Sequence, residues 1–214
     1  MARIVIFGGT GYSGSNIARE AVGRGHTVVS YSRKAPTEPI DGVDYRTGSM
    51  ADPAVVEEAA QGADQLVVAL HAADVDGQPM VVVVPTLVEA ARRHGARLSF
   101  VGGAGSSLVA EGGPRLVDTP DFHDDWKPEA LAHADVLEAL RQAPEDLDWF
   151  YVSPAALYGS FAPGETTGSY RTGGDLLVTK EDGSSEISGT DLAKAYVDEI
   201  ESGAHPRQRF TVGH

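Results

Sequence analysis

The chain has 214 residues, 42% of them hydrophobic, with 31 Asp+Glu against 17 Lys+Arg and a formal net charge of −14. That length and apolar fraction suit one large domain with a buried core, and the charge, with no Lys/Arg cluster to offset it, excludes nucleic acid and an anionic membrane as expected partners. There is no cysteine, which excludes disulfides, thiolate metal sites and Cys nucleophiles and fits a reducing, cytoplasmic setting.

Arg3 to Phe7 is rich in β-branched residues and stops at Gly8-Gly9. It predicts a buried strand and is too short for the apolar core of a secretory leader. No run of about 18 apolar residues occurs, so no membrane span is expected. Ile17, Ala18, Ala21 and Val22 recur at helical spacing until Gly23 and Gly25 stop them. His26 to Tyr31 predicts a second strand and Val43 to Thr47 a third. Asp52-Pro53 opens a helix to about Gln61, since Asp suits the N-cap and Pro the first turn. Gln65 to Leu70 predicts a fourth strand. The Leu87, Val88, Ala91 spacing makes Met80 to His94 a helix despite its valines. Leu98 to Val101 predicts a fifth strand, Pro128 to Gln142 a helix and Trp149 to Val152 a sixth strand. Residues 153–186 read as glycine-rich and irregular, with a hairpin around Asp182-Gly183. Ser188 and Asp191 form a capping box for a helix to about Glu201, and Arg209 to Val212 predicts an edge strand.

This alternation predicts an α/β fold: a doubly wound parallel sheet of six to seven strands, helices on both faces, in a single domain over 1–214. Segments 103–127 and 153–186 are expected to form a small substrate-side region, because loops of that length in a compact domain are often binding loops.

Gly8-Gly9-Thr10-Gly11-Tyr12-Ser13-Gly14 follows the first strand and opens the first helix. It satisfies Gly-x-Gly-x-x-Gly at Gly9, Gly11 and Gly14, and Gly-x-x-Gly-x-x-Gly at Gly8, Gly11 and Gly14. In that context the motif reads as a Rossmann pyrophosphate loop: a tight turn, a close backbone approach to phosphate, and a helix N-terminus aimed at it. An NAD site carries Asp or Glu at the end of the second strand to hold the ribose 2′-hydroxyl. Here Ser32-Arg33-Lys34 offers two cations and a hydroxyl instead, so NADP(H) is expected over NAD(H), with Arg33 gripping the 2′-phosphate and Ser32 and Lys34 adding donors. Ser49 and Met50 after the third strand, Leu70, His71 and Ala72 at the end of the fourth, Gly102 and Gly103 after the fifth, and Ser153, Pro154 and Ala155 after the sixth complete the expected dinucleotide contacts. They lie at carboxyl strand ends, where open α/β sheets bind ligands; His71 is expected to contribute backbone rather than ring.

The phosphate loop, Ser32-Arg33, Val101-Gly102-Gly103-Ala104-Gly105-Ser106 and Ser153-Pro154-Ala155-Ala156 together resemble the atypical short-chain dehydrogenase/reductases. They are similar to the NADH-flavin reductase-like proteins, the biliverdin/flavin reductases and the NmrA-like NADP-binding regulators. The resemblance covers nearly the whole chain, including Pro128-Glu129-Ala130-Leu131-Ala132-His133. One departure stands out. Catalytic members use Tyr-x-x-x-Lys, and here the residues four after Tyr12, Tyr31, Tyr45, Tyr151, Tyr158, Tyr170 and Tyr196 are Asn16, Ala35, Ser49, Ala155, Ala162, Gly174 and Ile200. The resemblance therefore implies an NADPH-dependent reductase of an acceptor that needs little acid catalysis, with a flavin (FMN or FAD) or quinone as that small-molecule substrate. A non-catalytic NADP(H) sensor of NmrA-like type stays open. So does a sugar-nucleotide epimerase or dehydratase, though those enzymes normally keep the Tyr/Lys pair. Ser106, just past the fifth strand, and His133, in the helix where the missing pair would lie, are the candidate catalytic residues. Asp121, His123, Asp124 and Asp125 share one loop without a ligand spacing, so no metal is expected. A monomer or homodimer is expected.

Overall fold

In the computed structural model, which describes residues 1–214, the strands are β1 (Arg3–Phe7), β2 (Thr27–Ser32), β3 (Val43–Thr47), β4 (Gln65–Val68), β5 (Arg97–Val101), β6 (Trp149–Ser153), β7 (Arg171–Gly173) and β8 (Gln208–Gly213). The helices are α1 (Tyr12–Gly23), α2 (Pro53–Ala60), α3 (Val84–His94), α4 (Lys127–Arg141) and α5 (Gly189–Ser202). All eight strands share one sheet in the order β3-β2-β1-β4-β5-β6-β8-β7, every pairing parallel except β7 with β8.

Alternate residues of each central strand go to opposite cores. On one face Val5, Phe7, Leu66, Val68, Leu98, Phe100, Trp149 and Tyr151 pack against α2, α3 and α4. On the other Ile4, Ile6, Val67, Phe150 and Val152 pack against Ile17 and Ala18 of α1 and Leu192 and Tyr196 of α5. Burial on both faces explains why these strands read as unbroken apolar runs.

The caps are partly as expected. Asp52 accepts from Ala54 N at 2.9 Å with Pro53 in the first turn of α2. Ser188 Oγ accepts from Asp191 N at 3.0 Å at the start of α5. Asp191 does not reach back to the Ser188 amide; its carboxylate instead takes Thr167 N, Gly168 N and His214 Nε2 at 2.8, 2.9 and 2.9 Å.

Four expectations are corrected. The sheet has eight strands, because the three-residue β7 lies inside the segment that reads as irregular. Arg209–Val212 is not an edge: β8 sits between β6 and β7. Residues 80–94 do not form one helix. Met80–Val82 is a 3₁₀ turn and α3 starts at Val84, because Pro85 has no amide to bond back to the preceding turn and is confined to a first turn. Asp182-Gly183 closes a tight turn, Lys180 N to Ser184 O at 2.7 Å, that joins no pair of strands.

Arg209 fastens the two long segments to the sheet. Its guanidinium is buried, donates to Ser107 Oγ at 2.9 Å and pairs with Asp175. Leu108 N bonds Asp175 O at 2.8 Å and Leu177 N bonds Leu108 O at 2.9 Å. Segments 103–127 and 153–186 thus meet at the carboxyl end of the sheet.

Candidate functional site

A cavity of about 1400 Å³ runs along the carboxyl ends of β2, β1, β4, β5 and β6. Pockets for one small ligand are ~300–1,000 Å³, so an extended ligand and a second molecule both have room. Gly8 to Ser13 form its floor, Ser32 to Glu38 one end, and His133, Trp126 and Phe161 the other.

The floor is shaped by close packing. Gly8 is left-handed, φ +92°, and a Cβ there would lie 2.3 Å from Ala69 O. A Cβ on Gly9 would lie 2.4 Å from Ser30 Oγ, and one on Gly14 2.2 Å from Gly8 O. Those three glycines are demanded by the protein itself. Gly11 is different: its Cβ would meet only Gly8 O at 3.4 Å, and its open side faces the cavity. No side chain caps the start of α1, so its first N–H groups and positive dipole end are left for an anion. This cradle fits a pyrophosphate.

Of the residues expected at the dinucleotide, Gly8 to Ser13, Ser32, Arg33, Lys34, Ser49, Met50, Leu70, His71, Gly102, Gly103, Pro154 and Ala155 line the cavity. Gly14, Ala72 and Ser153 do not, and neither does Ser106, the candidate catalytic serine. Gly14 lies beneath the turn it supports. Ala72 is buried and its N–H donates to Glu129 Oε1 at 2.7 Å. Ser153 Oγ accepts from Arg209 Nη1 at 3.3 Å. Ser106 Oγ is buried without a hydrogen-bond partner, held off the cavity wall by the Arg209 anchoring of its segment. Gly102 answers to the fold, since a Cβ would fall 2.0 Å from the Tyr151 ring.

At the Ser32–Glu38 end, Ser32 Oγ donates to Lys34 O at 2.7 Å, so its proton is committed to the turn rather than free for a ligand. Arg33 is 75% exposed and its Nη1 lies 2.8 Å from Asp76 Oδ1. Ser49 Oγ donates to the other oxygen of the same carboxylate. These two hydrogen bonds hold Asp76 below the usual carboxylate range.

At the other end stands a residue the sequence reading passed over. Glu129, in the first turn of α4, accepts from Ala72 N and Ala73 N at 2.7 and 2.9 Å. His133 Nε2 lies 3.1 Å and His71 Nδ1 3.3 Å from its Oε1. Burial pushes the Glu129 carboxyl up, but bonds from His133, His71 and the two backbone amides outweigh it and hold it well below the usual range. In turn the Glu129 carboxylate pushes His71 up, against burial. His133 is buried, its Nδ1 has no partner, and its ring packs beneath Gly103, while the His71 ring is exposed. The His71 backbone and ring both belong to a residue that lines the cavity. The Glu129-x-x-x-His133 spacing, which equals that of Tyr-x-x-x-Lys, was the available signal.

Trp126 and Phe161, 51% and 71% exposed, form an aromatic rim with ring centroids 6.3 Å apart and planes 31° from parallel. Phe122 meets Trp126 edge-on at 6.4 Å. In the same loop Asp124 pairs with Lys127 at 2.7 Å.

The family model described as NAD(P)H-binding matches residues 8–202. The chain is 34% identical to the uncharacterized protein YwnB of Bacillus subtilis over 216 residues, 98% of this chain and 97% of that one. Among solved structures it is similar to a Burkholderia pseudomallei protein named a "putative exported protein", at 41% identity and TM-score 0.86 with both chains fully covered. It is also similar to a "putative NADH-flavin reductase" of Streptococcus pneumoniae, at 31% identity and TM-score 0.84, again with full coverage of both. No helix is long and apolar enough to cross a membrane.

Proposed function

The chain belongs to the NAD(P)H-binding family, and from that premise we propose that it is an NADPH-dependent reductase of a flavin or quinone-like acceptor. The observation that carries this reading is the exposed Trp126–Phe161 rim on the same cavity as the phosphate cradle. Two exposed aromatic rings beside a dinucleotide site suit a planar, conjugated second ligand, which gains from offset stacking. No tyrosine is followed by lysine four residues on, so an acceptor that takes hydride without a phenolic acid is favoured over a simple ketone. The relative named as an NADH-flavin reductase supports the same class.

The roles of the chain's residues follow. The Gly8–Ser13 turn and the start of α1 hold the pyrophosphate. Arg33 and Lys34 hold the 2′-phosphate. Bound NADPH supplies the hydride. His71 supplies the accompanying proton at its exposed ring, with its Nδ1 backed by the Glu129 carboxylate and recharged from water. His133 keeps Glu129 in place. A cytoplasmic location goes with this reading, where the reduced dinucleotide is available. Ser106, its hydroxyl buried away from the cavity, has no role in it.

The test is NADPH oxidation with FMN, FAD and small quinones, run beside calorimetry of NADPH binding. Turnover with at least one planar acceptor is the expected result. Tight binding with no turnover on any of them refutes the reductase and leaves the NADP(H) sensor.

A further inference from the structure

Dinucleotide sites that favour NAD place an acid at the end of the second strand, where it accepts the ribose 2′-hydroxyl. The end of β2 here, Ser32-Arg33-Lys34, has none. The fold brings one in from 43 residues along the chain: the Asp76 carboxylate bridges Arg33 Nη1, at 2.8 Å, and Ser49 Oγ. All three residues line the dinucleotide cavity. We propose that Asp76 is the residue that discriminates at the ribose 2′ position, accepting the 2′-hydroxyl of NADH and being displaced from Arg33 by the 2′-phosphate of NADPH. This rests on the assignment of Arg33 to the 2′-phosphate.

Three observations support it. First, the carboxylate is presented by a stiff element. Val75 N bonds Gln78 O at 2.7 Å, Gln78 N bonds Val75 O at 3.3 Å, and the central residues Asp76 and Gly77 have φ 53° and 87°. That is the pattern of a type I′ two-residue turn, which Asp-Gly favours. Asp74 Oδ1 accepts from Gly77 N at 2.6 Å and fixes the turn from outside. Second, the seat is the one an anion would take, with a guanidinium on one side and a hydroxyl donor on the other. Ser49 Oγ is itself oriented by accepting from Ala51 N at 3.0 Å, which aims its proton at Asp76. Third, the Arg33 side chain is 75% exposed, and an exposed ion pair of this kind is weak. A doubly charged phosphate, offering three acceptor oxygens to the same guanidinium, outcompetes it. Of the other charges lining the cavity, Lys34 at this end favours the phosphate, and Glu38 and Asp74 oppose it.

The consequence is a two-way site. NADH binds with Asp76 in place as its acceptor; NADPH binds by breaking the Arg33–Asp76 pair, so part of its affinity is spent on that displacement. The experiment is titration of NADPH and NADH by calorimetry on the full chain and on Asp76→Asn, which keeps the left-handed turn because Asn tolerates positive φ. The expected result is tighter NADPH, weaker NADH, and a shift of roughly tenfold in their affinity ratio toward NADPH, about the worth of one charged hydrogen bond. An unchanged ratio, or a shift toward NADH, overturns the proposal. Asp76→Gly, equally at home at positive φ, repeats the test if Asp76→Asn fails to fold. Arg33→Ala runs in parallel. If it leaves NADPH affinity intact, the 2′-phosphate assignment itself fails. If it weakens NADPH while Asp76→Asn changes nothing, only the role of Asp76 is lost.

Discussion

Glu129→Gln is the perturbation that probes the most connections at the site. The carboxylate takes two backbone amides, Ala72 N and Ala73 N at 2.7 and 2.9 Å, and two imidazoles, His133 and His71 at 3.1 and 3.3 Å. Glutamine keeps one acceptor oxygen and turns a donor NH2 toward groups that also donate. The oxygen that stays on the buried Ala72 N leaves the new NH2 facing Ala73 N, donor against donor; the alternative rotamer orphans Ala72 N itself. A donor left without its acceptor here costs ~1–3 kcal/mol. Because Glu129 keeps about a third of its side-chain surface exposed, the loss of charge adds little to that figure. For a domain of 150–250 residues each kcal/mol is worth about 2–4 °C, giving a Tm lower by roughly 2–12 °C at pH 7. The sign with pH is fixed by the two shifts. Glu129 lies below its ordinary 4.5 when folded, so its contribution is complete above pH 4.5 and is lost as acid approaches the lower folded value. His71 is raised above its ordinary 6.5, so its share is complete below pH 6.5 and is lost as pH climbs through the raised value. The gap between wild type and Glu129→Gln, followed by circular dichroism melts across pH, should therefore be widest between pH 4.5 and 6.5. A gap under about 1 °C, less than half the smallest shift expected from one orphaned amide, or a gap that grows in acid, would refute the carboxylate's role as anchor.

The glycines of the phosphate turn separate fold from ligand. Gly11→Val should leave the circular dichroism melt close to wild type, since only Gly8 O approaches its Cβ, at 3.4 Å, yet abolish NADPH binding by calorimetry. Gly14→Ala should destabilise the protein whatever the ligand, because its Cβ falls 2.2 Å from Gly8 O; overpacking of this kind typically costs ~1–3 kcal/mol. Trp126→Ala should raise the KM for a flavin or quinone acceptor about tenfold, in line with the ~0.5–1.5 kcal/mol of an aromatic pair plus lost burial, while NADPH affinity stays the same in calorimetry.

What the sequence makes legible is what each residue's own neighbours decide. Gly8, Gly9 and Gly14 are readable because the turn they build follows a strand and opens a helix within a dozen residues. Their clashes with Ala69, Ser30 and Gly8 give the reason in atoms. Pro85 could have been read as the break before α3, since a proline cannot continue a preceding turn. β7 could not: Arg171-Thr172-Gly173 has no apolar alternation, and it becomes a strand only because β8 offers it an edge. The same logic divides the site. Arg33 stands in a recognisable place, but its partner Asp76 is 43 residues away, and the Asp76-Gly77 turn signal says nothing about where the carboxylate points. Ser106 stands in the right place along the chain, yet Arg209 on β8 draws its segment into the protein, so position after a strand end is not the same as access to the cavity. Glu129 shows both sides at once. Its spacing to His133 is local and visible, whereas the amides of Ala72 and Ala73, 57 and 56 residues away, are what anchor it as a carboxylate. The first turn of α4 can therefore hold an ionised acid only because the loop after β4 turns two N–H groups toward it. Chemistry at this end of the cavity depends on that loop as much as on the helix.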